Sequence, residues 1–110
     1  MVTKEHLKKY RESKRIIKYC EQKIAEGDTS GDLLVVRDHH ARFISRIESA
    51  VADLTDPTEQ LLIRLRYFDG YSWTKIGYAL HYSKSSLQRI HDKALEHLAK
   101  SRVRIEEVTA

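Results

Sequence analysis

The stretch from Tyr71 to Ile90, YSWTKIGYALHYSKSSLQRI, constrains the fold of this chain more than any other. With Trp73 as position one, Ile76 stands at four, Gly77 at five, Leu80 at eight, Tyr82 at ten, Leu87 at fifteen and Ile90 at eighteen. All of these positions agree with a helix-turn-helix. Apolar side chains lock two short helices together, and a residue without a side chain sits where the helices cross most closely. Ser72 is placed to cap a helix over about 72–80, and Ser83 to cap a second one running to about Ser101. His81 and Tyr82 make the turn. Histidine is among the few larger residues that tolerate positive φ there.

The flanking sequence also reads as helix. One proline and four glycines are too few punctuators for an all-β fold. Thr3 can cap a first helix over about 3–26, with Glu5 helping in its first turn. Its apolar stripe, Leu7, Tyr10, Ile17 and Ile24 with Ile16 and Cys20 beside it, is interrupted by Lys14 and Glu21, as suits a helix packed on one partner. Gly27 then suits a helix C-cap and Asp32 the next N-cap. A second helix to about Leu54 carries Leu33, Val36, His40, Phe43, Ile47, Ala50 and Leu54 in alternating steps of three and four, flanked by Ile44 and Val51. That repeat favours coiled-coil-like packing, with the first helix as an antiparallel hairpin or with a second copy of the chain. Asp56 or Thr55 can cap a third helix over about 57–68. Pro57 fits its first turn, and Glu59 is placed to complete a capping box. Leu61, Leu62, Leu65 and Phe68 are its expected inward residues, and Asp69-Gly70 its end. The expected fold is all-α: a helical hairpin over 1–54 for dimerisation or partner docking, a three-helix helix-turn-helix domain over 55–101, and a flexible tail over 102–110.

Charge is unevenly spread. The formal net charge is +4, but residues 1–56 hold eleven Lys/Arg against ten Asp/Glu, and residues 57–104 hold nine against four. The excess falls on the half with the helix-turn-helix, as an electrostatic footprint for phosphates would. The basic run from Lys4 to Lys18 is interleaved with Glu5 and Glu12 and reads as a solvated face. Cys20 is the only cysteine. It excludes an internal disulfide, lies on an apolar face as a small hydrophobe, and fits a reducing cytoplasm. No apolar signal core opens the chain, and no apolar run approaches membrane-spanning length, so a soluble protein with no membrane partner is expected. Among the six histidines, His39 and His40 would point about 100° apart on a helix, and His91 and His97 lack the spacing for a shared ion. No phosphate loop, nucleophile elbow or dinucleotide fingerprint is present. The expectation is a non-enzyme with no cofactor and no metal, in which Trp73 and Tyr78 serve packing.

The helix after Ser83 separates two faces. Leu87, Ile90, Ala94, Leu95 and Leu98 form one. Lys84, Ser85, Gln88, Arg89 and Asp92 fall on the other, in the first turns, the part of a recognition helix that enters the major groove. Arg89 can donate two bonds to guanine, and Gln88 can pair in the same bidentate way with adenine. The helix N-terminus and the hydroxyls of Ser83, Ser85 and Ser86 favour a phosphate close by.

Residues 54–98 resemble region 4, the C-terminal helix-turn-helix of bacterial sigma factors. The resemblance is carried by the opening Leu-Thr-x-x-x-Glu, the central Leu-Arg-Tyr-Phe, the Ile-Gly pair and the closing Lys-Ala-Leu-x-x-Leu. With its helical N-terminal half, the whole chain is more similar to the phage-encoded late-gene regulators of the ArpU-like group. The resemblance implies that Lys84, Ser85, Gln88 and Arg89 approach base edges, that Ser72, Thr74 and Lys75 touch the DNA backbone, and that Arg66 and Lys93 lie near phosphate. Three departures imply a shifted sequence preference: His81 where the family has glycine, Thr74-Lys75 where it has an acidic pair, and Ser85 where it often has an acid. The expected function is a phage or prophage double-stranded DNA-binding transcriptional regulator, acting as a homodimer on a two-fold-related site. Region 4-like domains also bind RNA polymerase surfaces, so an anti-sigma-like adaptor is the alternative, and a phage DNA-packaging protein the third.

Overall fold

The computed structural model describes residues 1–106, which are all-α, with no strand among the described residues. The helices are α1 (Lys4–Lys8), α2 (Tyr10–Ala25), α3 (Gly31–Ala52), α4 (Pro57–Ile63), α5 (Trp73–Leu80) and α6 (Lys84–Ala99), with a π-helical segment, Arg64–Phe68, continuing α4.

The single first helix expected over 3–26 is bent at Lys9. Thr3 caps it: the Thr3 hydroxyl accepts from the His6 N–H at 3.3 Å, and His6 Nδ1 accepts from the Thr3 N–H at 3.1 Å. His6, rather than Glu5, completes that exchange. The bend lets Val2 and Leu7 sink fully into the core beneath α6, while Tyr10 stacks on Phe68 at 4.0 Å. α2 closes at Gly27, φ 98°, whose N–H reaches Ile24 O while that of Asp28 reaches Lys23 O. This paired closure needs a left-handed residue, hence glycine. The N-cap of α3 is Ser30, so Asp32 lies inside the first turn instead of capping it.

α2 and α3 pair within the chain as an antiparallel hairpin. Ser13 Oγ and His40 Nδ1 meet between them at 2.9 Å, and Cys20 is buried. His40, Phe43, Ile47, Ala50 and Leu54 of the α3 stripe are buried, with Ile44 and Val51. Leu33 is only half-buried and Val36 is exposed, so the stripe emerges from cover towards the hairpin tip, beyond the main core cluster.

Asp56 caps α4, accepting from the N–H groups of Thr58 and Glu59. Glu59 does not complete a capping box. It is buried, and its carboxylate meets His97 Nδ1 at 2.7 Å. The side amide of Gln60 donates to the carbonyls of Val51, Ala52 and Leu54, satisfying the open C-terminal end of α3. The expected inward face of this helix is corrected. Leu61 is 44% exposed, whereas Ile63 and Tyr67 are buried with Leu62; Leu65 and Phe68 are half-buried. The segment is apolar on nearly every side, so periodicity cannot choose its face. The Asp69 N–H also reaches back five residues to Arg64 O, at 2.9 Å, and this wider turn re-aims Tyr67 and Phe68.

The hairpin and the helix-turn-helix share one core, running from Val2 and Leu7 through Ile47 and Val51 to Leu62, Ile76 and Leu98. The expectation of a flexible tail is corrected for residues 102–106, where Val103 and Ile105 pack against that core. The Met1 ammonium donates to Ser101 O at 2.7 Å and Val103 O at 2.8 Å, and the Val2 N–H reaches Leu98 O, so the N-terminus is clasped to the segment that follows α6. Residues 107–110 of that tail lie outside the described residues. No helix among the described residues is long and apolar enough to cross a membrane.

Candidate nucleic-acid interface

The spacing around Gly77 produces the geometry it implies. Ile76 is fully buried and Leu87 nearly so. A Cβ on Gly77 would lie 3.3 Å from Tyr82 O and 3.5 Å from a Leu87 methyl, so a larger residue there would need the turn to give by a few tenths of an ångström. α5 ends at His81, which adopts the left-handed conformation at φ 59°, ψ 41°. Ser72 caps α5, accepting from the Lys75 N–H at 3.1 Å, and Ser83 caps α6, accepting from the Ser86 N–H at 3.3 Å.

α6 then separates its faces cleanly. Leu87, His91, Ala94 and Leu98 are buried; Ile90 and Leu95 are half-buried. Lys84, Ser85, Gln88, Arg89, Asp92 and Lys93 are exposed. The structure brings Lys84, Ser85, Gln88 and Arg89 together on the outer side of the first two turns. Ser83, Ser85 and Ser86 form a hydroxyl cluster, with contacts of 3.3 and 3.0 Å from Ser83 Oγ. Gln88 is tied to Asp92 by a 2.9 Å bond, so pairing with a base requires exchanging that contact. Arg89 is held only loosely, 3.5 Å from the Ser86 hydroxyl.

Except for Arg66, the remaining expected site residues fall on two flanks. Thr74 and Lys84 border a groove between α5 and α6, floored by Gly77 and Leu87. Ser72 and Lys75 lie at the outer start of α5, where the Lys75 ammonium sits 3.9 Å above the Tyr71 ring. Ser86, Arg89 and Lys93 border a second, shallow depression that also meets Asp56 and Glu59 of α4. Lys93 is 3.9 Å from Glu96, an exposed pair of small energetic weight. Arg66 stands apart from both flanks. It is half-buried, donates to Tyr71 O at 3.0 Å and lies 4.8 Å over the Trp73 ring, bracing the turn that leads into α5.

Trp73 does pack, meeting His91 edge-on at 4.9 Å. Tyr78 does not. It is 79% exposed on the rim of the α5–α6 groove, with Tyr82 beside it. Helical spacing carried that signal: Ile76 and Leu80 take the inner face of α5, and a residue two beyond Ile76 points almost opposite.

Beneath α6, the Tyr67 hydroxyl meets His91 Nε2 at 2.7 Å, and His91 Nδ1 is buried with no partner. Burial, then the fields of Lys4 and Arg66, push the His91 pKa below its ordinary value, and burial pushes the Tyr67 phenol up. Both groups are therefore neutral near pH 7. Among the described residues, no three His, Cys, Asp or Glu side chains gather as metal ligands would. No protein-family model, no curated protein and no solved structure matches the chain.

Proposed function

We propose that this chain is a sequence-specific double-stranded DNA-binding transcriptional regulator, and that α6 reads the major groove. One observation carries the reading: Lys84, Ser85, Gln88 and Arg89 stand uncovered on the first turns of a helix whose opposite face is locked into the core. A rigid helix with a bidentate donor near its N-terminus is what direct readout requires. The resemblance of residues 54–98 to sigma region 4 supports the same orientation, and the ArpU-like likeness adds a phage or prophage origin. Ser72, Thr74, Lys75 and the Ser83 cluster would hold phosphates on either side. The exposed apolar tip of the hairpin would serve self-association, placing two reading heads on a two-fold-related site.

The test is binding to random and selected duplexes across a salt series. For a DNA reader, log affinity falls linearly with log salt; a polymerase or sigma-factor adaptor shows little duplex binding at any salt. Arg89→Ala is expected to lower specific affinity by about 1–3 kcal/mol and to relax preference at one base position, whereas Lys75→Ala weakens all sequences alike. Unchanged selectivity in Arg89→Ala would reject this orientation of α6.

A further inference from the structure

We propose that Lys4, Lys8 and Arg11, with Arg66 behind them, form a second clamp for the DNA backbone beside the start of α5. This rests on the DNA-binding reading and deepens it, by giving the N-terminal segment a share of the duplex that its sequence does not advertise.

The four cations line one concavity together with Gly70 and Trp73, and among the described residues no Asp or Glu lines it. One of the two guanidiniums is already fixed. Arg66 is held by Tyr71 O and the Trp73 ring. Arg11 is exposed, and its guanidinium rests close to Gly70, where an added Cβ would meet it. A braced guanidinium such as that of Arg66 loses little entropy on meeting a phosphate, and both guanidiniums present paired donors to it. Lys4 is exposed, and Lys8 has only Glu5 at 3.6 Å, a solvent-screened pair. Four like charges around one hollow repel each other, and an anion seated there removes that repulsion.

Position selects the anion. Trp73, the first residue of α5, lines this hollow and also the groove that holds Thr74 and Lys84. The clamp therefore continues the α5–α6 surface instead of forming a separate site. The near-neutral charge of residues 1–56 also conceals a division. Residues 1–18 hold seven Lys/Arg against two Asp/Glu, a net of +5; residues 19–56 hold four against eight, a net of −4. Of the positive part, Lys4, Lys8 and Arg11 lie beside the start of α5, and Lys14, Arg15 and Lys18 continue along α2. Glu21, Glu26, Asp28 and Asp32 sit at the far, hairpin-tip end of a molecule 50 Å long. That polarity turns the α1 end towards a polyanion and the tip away.

The experiment compares wild type, Lys4→Gln/Lys8→Gln and Lys4→Gln/Lys8→Gln/Arg11→Gln in salt titrations on random duplex and on a selected site. Lys4 and Lys8 are both exposed, so the double variant leaves the core untouched and keeps both guanidiniums. At about 0.9 per phosphate contact, the slope of log affinity against log salt should shrink by about 1–2 in the double and about 2–3 in the triple variant, with the selected sequences unchanged. Wild-type slopes in both variants would overturn the clamp while leaving the reading of α6 intact. Altered sequence selection without a change of slope would also overturn it. A wild-type protein that binds no duplex would overturn clamp and DNA reading together.

Discussion

The helix-turn-helix end and the hairpin tip are built from the same kind of amphipathic helix, yet they leave opposite chemistry uncovered. α6 rests its apolar side on the core it shares with α1, α4 and α5, and what remains in water is Lys, Ser, Gln and Arg. At the tip only α2 and α3 meet, and two helices cannot cover each other's apolar sectors. Leu34, Val35, Val36 and Tyr19 are left exposed there, Val35 at 64%. The α3 stripe runs without a miss, but only its C-terminal part lies under a third layer. Burial follows the number of packed layers, not the regularity of the stripe. An uncovered apolar patch on one end and a polar, cationic face on the other suit two different kinds of partner.

The largest expected effect tests whether these ends are parts of one body. Ile47 at the hairpin base and Leu98 on α6 are both essentially unexposed. Ile47→Ala and Leu98→Ala should each cost about 2–5 kcal/mol. Because one core joins them, each should lower a single transition seen alike by far-UV circular dichroism and by Trp73 fluorescence in urea. If Ile47→Ala shifts the circular dichroism transition and leaves the Trp73 transition in place, the two regions are separate cooperative units, and the comparison must be drawn between domains.

The sequence announced these two regions unequally. Gly77, His81, Ser72 and Ser83 each carry a local constraint: a close crossing, a left-handed turn or a capping hydroxyl. All four stand where their chemistry required. Leu61 and Tyr67 carry no such mark. Their segment is apolar on most sides, and its face is decided by partners distant in sequence, such as His97 bonded to Glu59 and His91 bonded to Tyr67. The clasp of Met1 on Ser101 and Val103 is likewise a contact between residues about a hundred positions apart, which no window of local sequence contains. Among the site residues, the α6 face was legible from helical spacing alone. Arg66 was legible as basic but not as the brace it forms on Trp73.

A graded effect separates the regions by their buried histidines. His40 in the hairpin is held below its ordinary pKa of 6.5 by burial first and then by His39, although Glu12 opposes this. His91 beneath α6 is depressed by burial, Lys4 and Arg66. Below pH 6.5 the unfolded chain takes up protons that the folded chain refuses. Stability is therefore fully present above pH 6.5 and falls as pH drops through the depressed folded values. The melting temperature should decline from pH 7.5 to 5, and His91→Phe should flatten that decline. A decline as steep in His91→Phe as in the wild type would assign the acid sensitivity to His40 and the hairpin.

The smallest effect on stability sits at the tip, and there the partner matters more than the fold. Val35→Ser removes an apolar surface that makes no part of the core cluster, so unfolding free energy should stay within about 0.5 kcal/mol of wild type. Self-association is a different readout. If the tip joins two copies, sedimentation should show wild type shifting to dimer with concentration and Leu34→Ser/Val35→Ser remaining monomeric, while binding to a single half-site is unchanged. A wild type that stays monomeric at every concentration would remove the dimer from the scheme. The apolar tip would then contrast with α6 only in composition, and the two-fold-related site would lose its physical basis.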